Sequence, residues 1–427
     1  ETMRRTLAAV AIAAGAAAAV AAAATRLPAV LRGHAVLLAA TRAPAPEDAP
    51  AALRTAGKFL SPGARPRRTP APGSALPIAG QPVQGVSALL ALAGGRFLAL
   101  SDNGFGARIN SADALLALHR LAVDFESGSV TVEETRFLSD PHALYPGPIA
   151  MEAEPARRLT GADLDPESLA PLGERLLAVG DEFGPFLAVV DRETGALIDL
   201  HETRVDGRAL RSPDHPAHRA PDPAAARGAM RGRRSGGFEG LGRSPDGARL
   251  YAMLEKPLWR PDAGEIERVG GAAALRILEV AADSQRWTGR YWLYPLARAG
   301  HSIGDLAMID ATRGLVIERG QGQGHPERAC AEGETGACFR KPAAFKRVYM
   351  IDMAGVAPGE PVRKVGYIDL MDIADPEGVA RLGARADGRF AFPFVTIESI
   401  VGIDATHVVL ANDNNFPFSR GRRPDAP

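Results

Sequence analysis

Cys330 and Cys338 are the whole thiol complement of this 427-residue chain. Two thiols with one nearby histidine, His325, are too few for a structural zinc site. They flank a hydrophilic loop, AEGETGA, and in an oxidising compartment such a pair is expected to close into a local disulfide. A surplus of either charge is also missing. Fifty basic residues meet fifty acidic ones, so nothing electrostatic points to a nucleic-acid partner. The chain has no Gly-rich phosphate loop leading into a helix, no dinucleotide fingerprint and no Gly-x-Ser-x-Gly elbow. Those absences set aside nucleotide-dependent chemistry and leave serine catalysis poorly supported. Aromatics are scarce at 6%, but 46% hydrophobic residues still permit a large core.

The one long apolar run lies at the start. Residues 3–24, MRRTLAAVAIAAGAAAAVAAAA, combine a positive beginning, a moderately apolar centre and an Ala-x-Ala end, the form of an export signal cut near Ala24. Arg4-Arg5 hints at the twin-arginine route. Small side chains and Gly15 make the run a weak membrane span, so we expect a secreted or periplasmic protein with no stable span after processing. Residues 25–83 are rich in Pro, Ala and Arg and read as a disordered linker, with a blade-closing strand expected near Gly57–Leu60 or Ala75–Ile78.

From 84 to 427 the sequence repeats one plan five times: an apolar run, a turn rich in Gly, Asp or Pro, and a second apolar run. Each copy is a predicted β-hairpin. The leading residues are Ser87, Glu167, Glu239, Gly304 and Glu398, and the residues closing each hairpin are Asp102, Glu182, Glu255, Glu318 and Asp413. In an antiparallel hairpin the start of one strand lies beside the end of the next, so five radial hairpins bring all ten positions to one mouth. The spacing predicts an all-β fold, a β-propeller of five to seven blades in a single, monomeric domain. Further alternating segments, such as Ser129–Phe137, supply outer strands. No outer strand follows Asn415, which predicts an incomplete last blade and a truncated reading frame.

The segments DPESLAPL, GDEFGP, GGFEGLGRSPDG, LVIERG, FKRVYMID, FPFVTIESIVGID and NDNNFPFSRGR, in this order, resemble those of the bacterial phytase-like family, described as having esterase-like activity. The resemblance covers roughly residues 84–423. It implies an exported propeller-like protein that hydrolyses phosphate or other esters, and it fixes no catalytic residue.

The residues themselves give a reading of their own. Acids crowded at one mouth repel, and something must offset them. One answer is a hard divalent cation, with Ca2+ favoured outside the cytoplasm because oxygen ligands suit it. Its candidate ligands are Asp102, Asp181, Glu255, Glu318, Asp413 and Asn412. The other answer is a basic set, Lys256, Arg319, Arg420 and Arg234, which either neutralises the acids or holds an anionic substrate. Glu167, Glu182, Glu239 and Glu398 are the candidate catalytic carboxylates for metal-assisted hydrolysis of a small-molecule ester. His301, just before the fourth repeat, is the best-placed histidine for a base, and Asn103 reads foremost as an ordinary turn residue. Two alternatives stay open: a ligand-binding propeller without turnover, and a calcium-dependent lactonase-type hydrolase.

Overall fold

The computed structural model describes residues 24–39, 41–59, 76–83, 85–218 and 230–418. The export-signal reading and Arg420 lie outside them. Within them the regular structure is almost wholly β, and no helix is long and apolar enough to cross a membrane.

Four antiparallel sheets follow one another along the chain. The first runs through Val86–Leu92, Arg96–Ser101, Ala117–Asp124 and Ser129–Phe137, and the second through Pro166–Leu172, Leu176–Asp181, Phe186–Asp191 and Leu197–Glu202. The third contains Phe238–Arg243, Arg249–Leu254, Ala272–Ala281 and Arg286–Pro295. The fourth contains Ser302–Met308, Arg313–Arg319, Lys346–Asp352 and Arg363–Asp369. A two-stranded hairpin, Ser399–Gly402 with Val408–Ala411, takes a fifth place. Each sheet's first strand touches the first strands of its two neighbours, and the fifth hairpin touches both the fourth sheet and the first, which closes the ring.

Apolar layers between successive sheets hold this ring together. Leu98, Leu100 and Leu118 meet Leu177, Val179 and Phe186 between the first and second sheets. Met253, Ile277 and Trp292 meet Ile303, Val316 and Tyr349 between the third and fourth. Val86, Phe97 and Leu121 meet Val401 and Val409 where the ring closes. Both faces of each inner hairpin are therefore covered, which is why these strands read as continuous apolar runs instead of alternating ones. The half-buried carboxylate of Asp305 accepts the Ile400 N–H at 2.9 Å and pins the fifth hairpin to the fourth sheet.

The linker reading is corrected. Thr25–Arg26 adds a parallel strand to the outer edge of the fourth sheet, Val30 bridges Ala374, and Val36 bridges Ser129. Arg42–Ala43 pairs with Gln81–Pro82, and Thr55–Ala56 pairs with Ile78–Ala79. The segment thus wraps the ring and covers a sheet edge, a role that needs backbone partners more than an apolar pattern. Cys330 and Cys338 form the expected disulfide, with Cα atoms 4.9 Å apart, in the excursion between the second and third strands of the fourth sheet.

One buried histidine gives the fold a pH dependence. The fully buried His119 bonds Ser101 Oγ at 2.8 Å and Thr135 Oγ1 at 2.9 Å, and burial pushes its pKa down from 6.5 to about 4. A depressed folded-state value contributes stability that is present above pH 6.5 and lost as pH falls through about 4. Urea unfolding across this window should show a loss in the wild type and a flatter profile for His119→Gln. Identical slopes would refute the assignment.

Candidate functional site

The first hairpins share a detail that positions the centre. In four sheets the register shifts by one residue at the leading position, between Val86 and Ala88, Pro166 and Ser168, Phe238 and Gly240, and Ile303 and Asp305. The displaced residues are Ser87, Glu167, Glu239 and Gly304. A bulge of this kind frees one residue from the ladder and re-aims its side chain, here toward the ring axis. Gly304 breaks the series because a Cβ there would lie 1.8 Å from the Ile397 carbonyl oxygen.

The same register aligns the far ends. Ser101, Asp181 and Glu318 pair with Val86, Pro166 and Ile303. The residues after them, Asp102, Glu182 and Arg319, are therefore equivalent, and Glu255 takes this place in the third sheet, where Leu254 pairs with Phe238. The sequence alignment that matched Glu318 to Glu182 is thus one residue out. A one-residue slip turns a strand side chain to the opposite face. Arg319 enters the centre, whereas Glu318 faces the third sheet. There Glu318 accepts from Tyr294 Oη at 2.8 Å, the Ala297 N–H at 2.8 Å and Lys364 Nζ at 2.7 Å, and pairs with His301 Nδ1 at 2.8 Å. His301, its ring tilted by 40° against Phe345 at a centroid distance of 4.3 Å, is committed to this outer network.

Asp181 is also set apart. Its oxygens accept the N–H groups of Asp165 at 2.8 Å, Gly184 at 2.6 Å and Phe186 at 3.3 Å, so it braces the turn behind Glu182. Asn412 donates to the Asp413 carbonyl at 3.0 Å and remains half-buried.

The centre gathers Asp102, Asp165, Glu167, Glu182, Glu239, Glu255, Glu398 and Asp413, all close enough to perturb one another. Among the described residues, two cationic side chains face these eight. Arg319 Nη2 lies 3.5 Å from Glu398, 3.7 Å from Glu255 and 3.8 Å from Glu239. Lys256 Nζ lies 3.0 Å from Glu255 and donates to the carbonyls of Arg234 and Ser235. Arg234 itself pairs with Asp214. Burial, followed by mutual repulsion, holds Glu167, Glu182, Glu239 and Glu398 well above the usual carboxylate range. Burial also raises Asp165 and Asp413 to about 6, against hydrogen bonds that favour their ionised forms.

The charge is unevenly balanced. The Glu239, Glu255 and Glu398 side has Arg319 and Lys256, whereas no cationic side chain among the described residues forms an ion pair with Asp165, Glu167 or Glu182. Asp165 is oriented by Asn103, whose backbone N–H and Nδ2 donate to it at 3.2 and 2.8 Å. Asn103 Oδ1 meanwhile accepts from Phe105 and Gly106, so the turn reading of this residue holds and a second role is added. One carboxylate oxygen from each of Asp165, Glu167 and Glu182 falls within 4.8 Å of the others. Glu182 is 6% exposed and its Oε1 has no hydrogen-bond partner. An all-oxygen set with an unmatched buried acceptor fits a hard cation.

Sequence reasoning missed Asp165 and Lys346. Asp165 precedes the repeat's leading residue, and only its place two positions before Glu167 signalled it. Lys346 lies directly across from Arg319, is fully buried, donates to the Val395 carbonyl at 2.9 Å, and is pushed down to about 7 by burial and by Arg319.

No curated protein matches the chain. Among solved structures, it is similar to the glutaminyl cyclase of Myxococcus xanthus, at 13% identity and a TM-score of 0.34, over 78% of this chain and 88% of that one. It is also similar to Saccharomyces cerevisiae Sqt1, at 13% identity and a TM-score of 0.30, over 77% and 70%. Likenesses this distant carry nothing about chemistry. A family model described as "Phytase-like: Esterase-like activity of phytase" matches residues 81–416, a span that takes in all five hairpins and every carboxylate of the centre. The chain therefore belongs to the Phytase-like family.

Proposed function

We propose that this protein is an exported hydrolase of phosphate or other esters whose acidic centre works with a bound divalent cation, Ca2+ being the first choice. The observation that carries this reading is the unbalanced Asp165, Glu167 and Glu182 cluster with its unpartnered buried oxygen. Two like charges 4 Å apart cost on the order of 4 kcal/mol at an effective dielectric of 20, so eight carboxylates facing two cationic groups among the described residues favour a further positive charge. Export is supported by the closed Cys330–Cys338 disulfide and by the apolar start of the sequence.

The chain's residues divide the work. Asp165, Glu167 and Glu182 would hold the cation, and Asn103 fixes the orientation of Asp165. When bound, such a cation polarises an ester oxygen and lowers the pKa of a water. Glu398, 3.5 Å from Arg319, would accept a proton from an attacking water as that oxygen bonds to the phosphorus or carbonyl carbon. As the ester bond breaks, Glu398 would return that proton to the leaving oxygen, which departs as the alcohol. Lys256, whose side chain is 37% exposed, stands at the rim to receive the anionic part of a substrate. Family membership supports ester hydrolysis as the reaction class.

The test is a panel of a phosphomonoester, phytate, a carboxylic ester and a lactone, assayed with purified protein in Ca2+ and in chelator. We expect turnover of at least one phosphate ester, lost on chelation and recovered with Ca2+. Cleavage of the lactone alone would favour the lactonase-type reading. No turnover of any member in Ca2+, Mg2+ or Mn2+ would leave a binding propeller.

A further inference from the structure

We propose that a second site, separate from the carboxylate centre, binds a small organic dicarboxylate in the cleft between the third and fourth sheets. The alternation that sends Arg319 to the centre sends Glu318 and its ladder partner Arg347 to the opposite face, toward the third sheet. There the charge is the reverse of that at the centre. Arg347 Cζ lies 4.0 Å from the centre of the Tyr367 ring and 4.7 Å from that of Phe345, and its Nη1 donates to Tyr349 Oη at 3.1 Å. Arg298, from the loop that joins the third sheet to the fourth, places its Cζ 5.4 Å from the centre of the same Phe345 ring.

Neither guanidinium forms an ion pair with a carboxylate among the described residues. Glu318, beside Arg347 in the ladder, is already taken. A carboxylate offers about four lone-pair positions, and Tyr294, Ala297, His301 and Lys364 occupy those of Glu318. Asp369, beside Arg347 on the other strand, accepts the Met371 N–H at 3.1 Å and forms no ion pair with Arg347. Of the five N–H groups a guanidinium carries, Arg347 commits one to an acceptor among the described residues. Arg298, Arg347 and Lys364 thus leave this cleft short of negative charge.

The rings decide what kind of anion fits. Packing against them holds the Arg347 guanidinium in one orientation, and its free edge presents paired N–H groups to a planar carboxylate. Phe345, Arg347 and Tyr367 are half-buried and Arg298 is exposed, so the cleft opens to solvent between aromatic walls. The carbons of an organic acid gain from resting on those rings, and a hydrated inorganic ion does not. Both guanidinium groups lie against one ring, so a short dianion reaches both, with one carboxylate to each. His301, held by Glu318 at 2.8 Å and set against Phe345 at 4.3 Å, keeps that ring in place.

Titration calorimetry of succinate into chelator-treated protein at low salt tests the site. We expect saturable binding of one succinate per chain, with acetate and inorganic phosphate at least about tenfold weaker. Arg347→Gln should weaken succinate at least about tenfold, and Arg298→Gln about threefold or more. Arg298 is exposed, so its variant reports the lost cation with the fold intact. Lys256→Gln, which removes the cation at the rim of the centre, should leave succinate affinity unchanged. Absence of saturable binding, binding that survives both arginine substitutions, or loss of binding in Lys256→Gln would overturn the site. Phosphate bound at least as tightly as succinate would overturn its assignment to a dicarboxylate.

Discussion

Replacing Arg319 by methionine is expected to destabilise the cation-free protein by about 3–5 kcal/mol, the usual cost of leaving buried charges without their partner. Arg319 is 5% exposed and stands among Glu239, Glu255 and Glu398 at 3.5 to 3.8 Å. Methionine keeps most of the volume, so the loss reports charge and not a cavity. Arg319→Lys should recover only part of it, since an ammonium presents one point charge where the guanidinium fork spans three carboxylates. Two further readouts separate this account from simple loss of packing. Adding Glu398→Gln to Arg319→Met should restore stability, giving a coupling in the double-mutant cycle. Ca2+ should stabilise Arg319→Met more than it stabilises the wild type. A loss below about 1 kcal/mol, the range of exposed pairs, would contradict the picture of a buried, charge-strained centre.

Glu182→Gln is expected to move activity and stability in opposite directions. Its carboxylate stands with Asp165 and Glu167 in the candidate ligand cluster, so ester turnover in Ca2+ should fall by at least about 100-fold, the upper end of what loss of even a supporting partner costs a metal site. In chelator, the same variant should be more stable than the wild type by about 1 kcal/mol or more, because one member of a mutually repelling buried set has become neutral. Parallel thermal melts in chelator and in Ca2+ show this as a crossover. The variant melts higher without the ion, and the wild type melts higher with it. A variant that loses stability in both conditions would mean that Glu182 is held by contacts other than those described.

The ring was readable in sequence because each inner hairpin must fill apolar layers on both faces and still end in a turn, and that plan survives where individual residues change. Convergence of the leading residues followed from antiparallel pairing alone. The bulge that re-aims Glu167 and Glu239 did not, since a bulge adds one residue without a compositional mark. It also explains the slip at the fourth repeat. Glu318-Arg319 offers an acid at nearly the right distance, and only the register shows that Arg319 occupies the place held by Asp102 and Glu182 elsewhere. Lys346 was hidden for a related reason: its neighbours in FKRVYMID resemble an ordinary outer strand, and its burial depends on facing Arg319 across the ladder. The wrapping segments over residues 24–39 and 41–59 are held by backbone pairing and short bridges, so their Pro- and Ala-rich composition gave no periodicity to find.

If the carboxylate centre holds a divalent cation, calorimetric titration of Ca2+ into chelator-treated protein reveals it most directly. Saturable heat in the wild type, at least about tenfold weaker in Asp165→Asn and in Glu182→Gln but retained in His119→Gln, is the predicted result. Absence of heat at millimolar Ca2+, Mg2+ and Mn2+, with ester turnover unchanged by chelation, would contradict it and leave basic side chains such as Arg319 and Lys256, with protonated carboxylates, to balance the centre.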